Sequence, residues 1–437
     1  MKIILPVHYF PPVYKGGAEQ YSFSLARSLI EKGHNVKVIS VETLNRVGGP
    51  PLVSEHDKYA GVEVYRLSLP EHEDKNFLHS FNNPFVGEWF TNFLRANQPD
   101  VVHFQGAYRL SASIISSARQ LNLPTVLTLH DYWFVCPRLT LLRSDGLLCN
   151  GPQQRIDCVR CCGQAESADG RYIEEWMAED PALLEPLMGQ RQEFLLEQLL
   201  SVDALISPSK FLRAIHLQLG VPEHKIQVVP FGMSEAKRQS GLQEKPKGPI
   251  RIAYTGHLHT HKGGRVLVEA LLRMSDVQTK ISAKIFGDQS ANEDFVCLLK
   301  NMAKGEEYIQ FPGGFEPWQL PDILENTDVV VVPSLWYENS PLVILQALKS
   351  GVPIVASDVY PLRELIAHNF NGLLFERGNA KALELQLRRL VDEPGLLYDL
   401  TRHAFYKRTP ASEIEDLEGV YQNVISKRER VAGTTLS

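Results

Sequence analysis

Glu338 stands in the run Pro333-Ser334-Leu335-Trp336-Tyr337-Glu338-Asn339-Ser340-Pro341-Leu342. An apolar run, Val329 to Val332, precedes it, and a helical pattern, Pro341 to Lys349, follows it, so the segment reads as a strand-to-helix turn. The first backbone N–H groups of such a helix lack internal partners and lie at the positive end of its dipole, which suits an anion. Pro341 fits the first helical turn because its missing N–H would be unpaired there. A carboxylate just ahead of that end can accept hydrogen bonds from sugar hydroxyls, or it can simply complement the dipole. Lys262, between Tyr254-Thr255-Gly256-His257-Leu258 and Gly263-Gly264, could neutralise a diphosphate as a point charge, or be a surface lysine before a glycine turn. Gln346, eight residues after Glu338, could bind a ribose through its amide or be an ordinary polar helix position.

Two further groups lie near the amino terminus. Lys15-Gly16-Gly17-Ala18-Glu19 joins the first apolar run to a helical pattern. Gly16 and Gly17 would let the backbone approach a ligand closely, although a tight strand-to-helix turn explains them as well. His130-Asp131 ends the run Pro124 to His130, where either a ligand-facing or a hydrogen-bonded structural histidine fits. His257, His259 and His261 alternate, as side chains on one strand face do, and so raise a metal reading. Lys262-Gly263 already accounts for that loop. Cys136, Cys149, Cys158, Cys161 and Cys162 fall in one insertion, 136–170, with a C-x2-C pair at Cys158 and Cys161. In a reducing compartment Cys136, Cys149, Cys158 and Cys161 suit a structural zinc or an iron–sulfur cluster. The second C-x2-C of a zinc ribbon is missing, and free thiols in a substrate-covering loop are the alternative. Cys297, on a distant helical pattern, is expected in the core.

These residues need a scaffold that brings strand ends together. At 437 residues the chain exceeds the ~250–300 at which one core stops growing, so two domains are expected. Hydrophobic residues at 44% and charged residues at 22% describe an ordinary globular protein. A net charge of -6 argues against nucleic acid as the main partner. No run of about eighteen apolar residues occurs, and the opening Met1 to Val7 is too short for a signal-peptide core, so a cytoplasmic protein is expected. An amphipathic patch touching the inner face of the membrane would leave no trace at this level. Apolar runs alternate with helical patterns from 3–7 to 226–229, pause over a polar linker at 234–248, and resume from 250–255 to 373–375. Runs of this kind are strands of a parallel sheet covered on both faces. The organisation is α/β with two doubly wound Rossmann-like domains, at 1–233 and 249–408. A last helix, 409–437, crosses back to the first.

In order and spacing, the pieces resemble the family-4 retaining glycosyltransferases of GT-B fold. Glu338-Asn339-Ser340-Pro341-Leu342 is similar to that family's glutamate motif, in which two glutamates stand eight positions apart. The likeness continues through Gly16-Gly17-Ala18-Glu19, the His130 strand end, Ser207-Pro208-Ser209-Lys210-Phe211, Gly351 to Ser357 and Asn371 to Phe375. It implies two domains facing each other across a donor-binding cleft. Glu338 would contact the donor sugar, and backbone N–H groups near Ser340, Pro341 and Leu342, beside Asn339, would hold sugar and phosphate. Lys262 would hold the diphosphate with Gly16 and Gly17 beneath it, and His130 would face the sugar. No cofactor or divalent metal is implied for transfer. Gln346 replaces the second glutamate, and His257 replaces the arginine of a Gly-Arg-Leu pattern. Both lower the charge offered to the donor.

The reaction implied is retaining hexosyl transfer from a nucleotide-sugar, UDP-glucose by family frequency, to a saccharide or lipid-linked saccharide in polysaccharide or glycoconjugate synthesis. A nucleotide-sugar epimerase or hydrolase of the same fold would need acid–base residues that are not recognisable here. A non-catalytic sugar-nucleotide-binding subunit is suggested by Gln346 and His257, but opposed by Glu338, Lys262 and His130.

Overall fold

A computed structural model describes residues 1–70, 76–151, 154–163, 181–234, 248–290 and 292–434. The chain divides into two compact units, residues 1–232 with 410–437, and residues 233–409. Most of the expected linker, 235–247, and the end of the Cys-rich insertion, 164–170, lie outside the described residues.

The first unit carries eight strands: β1 (Lys2–Pro6), β2 (Asn35–Arg46), β3 (Val53–Tyr59), β4 (Val62–Pro70), β5 (Val101–Phe104), β6 (Thr125–Thr128), β7 (Ala204–Ser207) and β8 (Ile226–Val228). They lie in the order β3-β4-β2-β1-β5-β6-β7-β8. Seven are parallel, and most of their described Val, Ile and Leu side chains are buried because helices cover both faces. β3 is the exception, pairing antiparallel with β4 at the sheet edge. Sequence reading passed over it because Ser54-Glu55-His56-Asp57-Lys58 is exposed and offers no apolar run. The legible signal was the turn, where Ala60 and Gly61 both take positive φ (46° and 92°), as a two-residue hairpin loop requires.

The last helix, Pro410–Thr434, packs within this unit. Its Glu413 is buried and accepts hydrogen bonds from the Tyr21 hydroxyl (2.5 Å) and the Gly232 N–H (2.7 Å). Tyr421 meets the buried His103 on β5 (2.6 Å), and Arg428 pairs with Asp203 (2.9 Å).

The second unit is a six-stranded, wholly parallel sheet: β9 (Ile250–Thr255), β10 (Ile281–Phe286), β11 (Ile309–Gly313), β12 (Val329–Val332), β13 (Ile354–Ser357) and β14 (Gly372–Phe375). The order is β11-β10-β9-β12-β13-β14. Its core joins Ile252, Ile285, Val329 and Val331 to Leu267 and Leu271 of the helix Gly264–Leu272. Cys297 is exposed rather than in the core, because the helix Glu293–Met302 turns Phe295, Val296 and Leu299 inward instead.

Candidate active site

In the second sheet successive strands build outward in both directions from the β9/β12 pair, so the crevice beyond their carboxyl ends is the topological switch point. The loops after β9 and β12 meet there. Gly263 has φ +75°, and a Cβ on it would fall 1.8 Å from the Pro333 carbonyl oxygen. Only glycine permits that approach. The Leu335 N–H donates to the His261 carbonyl (2.8 Å), lacing the same two loops together.

This arrangement brings Lys262 to Glu338. The ammonium donates to Oε1 at 2.9 Å and to Oε2 at 3.2 Å. Glu338 Oε1 also accepts from Ser334 Oγ (2.6 Å) and Trp336 Nε1 (2.8 Å), and the Lys262 ammonium lies 4.6 Å from the Trp336 ring centre. The Glu338 side chain is 7% exposed and that of Lys262 is 23% exposed. A carboxylate held by three donors cannot swing away. The lysine keeps an accessible face that could take an anion.

Asn339 is buried, and Ser340, Pro341 and Leu342 are half-buried where the helix Leu342–Lys349 begins. Pro341 is not in the first turn as expected. It is the N-cap, with ψ 115°, so the free N–H groups begin at Leu342. Gln346 is half-buried one turn further on. His257 is exposed, and its carbonyl accepts from the buried Tyr254 hydroxyl (2.7 Å). His257, His259 and His261 lie on a loop and 3-10 turn, not on a strand. The rings of His259 and His261 stack at 5.6 Å.

In the first unit the switch point lies between β1 and β5. His8 Nε2 pairs there with Glu19 Oε1 at 3.2 Å. Burial works against charge on His8, but the Glu19 carboxylate, by charge and hydrogen bond, outweighs it and raises the pKa. At Gly16 a Cβ would meet Glu19 Oε2 at 2.5 Å, whereas nothing lies within 4 Å of one at Gly17. His130 Nε2 donates to Gln105 Oε1 (2.8 Å), and its ring lies 5.1 Å from Tyr21 and 5.6 Å from Phe231. Burial first, then the charges of His8 and His103, lower the His130 pKa to about 3, so it is a neutral hydrogen-bonding group. Asp131 accepts from the Trp133 N–H (2.8 Å), and burial raises its pKa.

The structure therefore gathers Lys262, Glu338 and the Asn339–Leu342 turn at one switch point. Gly16, Gly17 and His130 stand at the other. Sequence reading missed Ser334 and Trp336 as partners of Glu338, and Glu19 as the partner of His8. The first pair could have been found, since residues two and four before the glutamate lie on the same loop.

Cys136, Cys149, Cys158, Cys161 and Cys162 line one cavity of about 280 Å³ in the first unit, and none is in a disulfide. Among the described residues no three His, Cys, Asp or Glu side chains form a ready-made metal set. No described helix is long and apolar enough to cross a membrane.

Comparison with known proteins covers almost the whole chain. A family model described as Glycosyltransferase Family 4 matches residues 15–237, and one described as Glycosyl transferases group 1 matches residues 235–410. An uncharacterized 42.6 kDa protein in the cps region of Klebsiella pneumoniae is 22% identical over 378 residues, covering 84% of this chain and 87% of that one. The amylovoran biosynthesis glycosyltransferase AmsK of Erwinia amylovora is 28% identical over 197 residues, 43% of this chain and 47% of its own. Among solved structures, Anabaena Alr3699/HepE in complex with UDP and glucose superposes with a TM-score of 0.63 at 15% identity, over 100% of both chains.

Proposed function

For this chain, which belongs to glycosyltransferase family 4 and has the GT-B fold, we propose retaining transfer of a hexosyl group from a UDP-sugar, UDP-glucose first, to a saccharide or lipid-linked saccharide in polysaccharide synthesis. The observation that carries this reading is the Lys262–Glu338 pair, fixed at the switch point beside the amino terminus of the helix Leu342–Lys349. The donor preference draws on HepE, solved with UDP-glucose. The pathway draws on AmsK.

In this reading Lys262 and the free N–H groups of Leu342 and Val343 take the diphosphate, and Glu338 accepts hydrogen bonds from the sugar hydroxyls. The Gln346 amide takes the ribose. The acceptor oxygen attacks the anomeric carbon on the face from which the diphosphate leaves, and the departing phosphate oxygen takes the acceptor's proton. Lys262 and the helix dipole stabilise charge as it develops on the leaving group, where preorganised donors count most. Family resemblance alone brings His130 and Gly17 of the first unit into this reading, His130 as a neutral group. His257 leaves the diphosphate with one fewer permanent charge than an arginine would give.

The test is incubation of the purified chain with UDP-sugars and saccharide acceptors, following UDP release and the anomeric configuration of the product. Transfer with retention is expected, and it should persist in a chelator. An inverted product would overturn the mechanism. A chain that binds UDP but neither transfers nor hydrolyses any donor would be a binding subunit.

A further inference from the structure

Five of the six cysteines line a single cavity. Cys136 and Cys149 come from the irregular stretch between β6 and the helix Arg155–Gly163. Cys158 and Cys161 come from one turn of that helix. The stretch is tied locally. Leu142 and Leu148 form a small bridge, and the Cys149 N–H donates to the Leu141 carbonyl (2.8 Å). Leu139 and Leu141 nevertheless sit at φ 63° and 50°, a left-handed conformation that leucine adopts only when its surroundings impose it. Burial raises the pKa of Cys136, with the backbone N–H groups of Leu141 and Arg138 partly opposing it.

The charges around the cavity carry the argument further. Arg191 is 2% exposed, stands electrostatically close to Cys136, Cys158 and Cys162, and leaves Nη1 without a partner. Its Nη2 donates to the Trp133 carbonyl, and its guanidinium lies over the Trp133 ring. Arg138 donates to the Cys161 carbonyl (3.1 Å), approaches its sulfur at 3.9 Å, and leaves a buried Nε unpartnered. Asp131 is the carboxylate near Arg191, and the thiols, while neutral, add no counter-charge of their own. Four thiolates around a divalent ion carry a net charge of about −2, which two arginines would complement as an outer shell.

We propose that Cys136, Cys149, Cys158 and Cys161 bind one zinc ion as thiolates, a structural site that staples the loop 136–151 to the helix Arg155–Gly163. These four all line the one cavity, Cys158 and Cys161 from one turn of the helix and Cys136 and Cys149 from the stretch before it. Cys162 is buried, whereas the other four are partly exposed. The sulfurs do not yet stand at coordination positions. Binding therefore requires the side chains to turn into the cavity that they line, and each releases its proton as the metal binds.

The test is the metal content of the full chain, purified under reducing conditions from cells supplied with zinc. About one zinc per chain is expected. Cys158→Ser and Cys161→Ser should lower it at least tenfold, while Cys297→Ser in the other unit keeps it. Because a lost ligand could unfold the unit, cobalt(II) is also titrated into the metal-free wild-type chain. An intense thiolate-to-cobalt absorption that saturates at about one equivalent, with a rise in the thermal midpoint, supports the site. A wild-type chain that holds no zinc and gives no thiolate band with cobalt overturns it and leaves free thiols. Iron with acid-labile sulfide in place of zinc also overturns it, in favour of a cluster.

Discussion

At the switch point of the second sheet a lysine and a glutamate, both charged, meet at 2.9 Å with the lysine partly open to solvent. At that of the first sheet His8 and Glu19 pair at 3.2 Å with side chains 12% and 10% exposed, and two further histidines are held neutral by burial. His103 is fully buried between Thr128 and Tyr421, and burial lowers its pKa to about 3, as it does for His130. In the proposed reading the second place takes a diphosphate, which needs permanent positive charge within reach of water, whereas a saccharide can be met largely by neutral donors and acceptors. In the first unit the histidines also serve as structure, since His103 ties the last helix to β5 and β6.

Removing the carboxylate is the hardest blow to the charged site. Glu338→Ala should lower turnover on the order of a hundredfold or more, with the fold retained, as when a preorganised transition-state contact is lost. Turnover and circular dichroism measured together check this, and normal turnover would leave the site without its centre. Lys262→Ala should weaken UDP binding by roughly tenfold or more, the worth of a charge-assisted hydrogen bond. Calorimetric titration reads it, and unchanged affinity would return Lys262 to a purely structural partner of Glu338.

Acid should separate the two units. His103 and His130 have folded pKa values of about 3, and His216, buried with Nδ1 on the Leu212 carbonyl, about 4. All lie below the ordinary 6.5. Their stabilising contribution is therefore complete above about pH 6.5 and is lost as pH falls toward those values. Each costs up to ~1.4 kcal/mol per pH unit. His8 and Asp131, both raised, act in the opposite sense and offset part of the loss. Urea unfolding at pH 7 and pH 5, read by which fragments a protease releases, should show the first unit weakening ahead of the second. His103→Gln should reduce that pH dependence. Equal weakening of both units would refute the contrast.

The two places also differed in how far they could be read beforehand. In the second unit most strands carry an apolar run, and Lys262 and Glu338 follow strand ends, so their placement followed from pattern and chain order. Sequence could not supply the 2.9 Å pair between them, because that depends on Gly263 packing against Pro333. In the first unit β3 was invisible because a solvent-facing edge strand needs no apolar residues. The His8–Glu19 and His103–Tyr421 contacts join residues whose types alone say nothing about pairing. The cysteines were conspicuous by spacing, but Arg191, far along the chain, became relevant only once the fold set it beside them.

The smallest expected effect is the most informative about the charged site. Family resemblance places a glutamate where this chain has Gln346, half-buried on the helix that Glu338 precedes. A hydrogen bond to a charged group is worth about 1.5–3 kcal/mol against roughly 1 for a neutral one, so the amide forfeits about 1 kcal/mol at the ribose. Gln346→Glu should therefore tighten UDP-sugar binding by several-fold. Turnover should change little, because a ribose contact is made equally in the ground state and the transition state. Binding by calorimetry and turnover at saturating donor measure the two separately. A gain of many orders of magnitude in turnover would mean that the natural chain is a degenerate relative whose charged site no longer works as the contrast requires. Abolished binding would mean that Gln346 donates a hydrogen bond a carboxylate cannot make. The ribose would then have to lie elsewhere along the crevice that Lys262 and Glu338 mark.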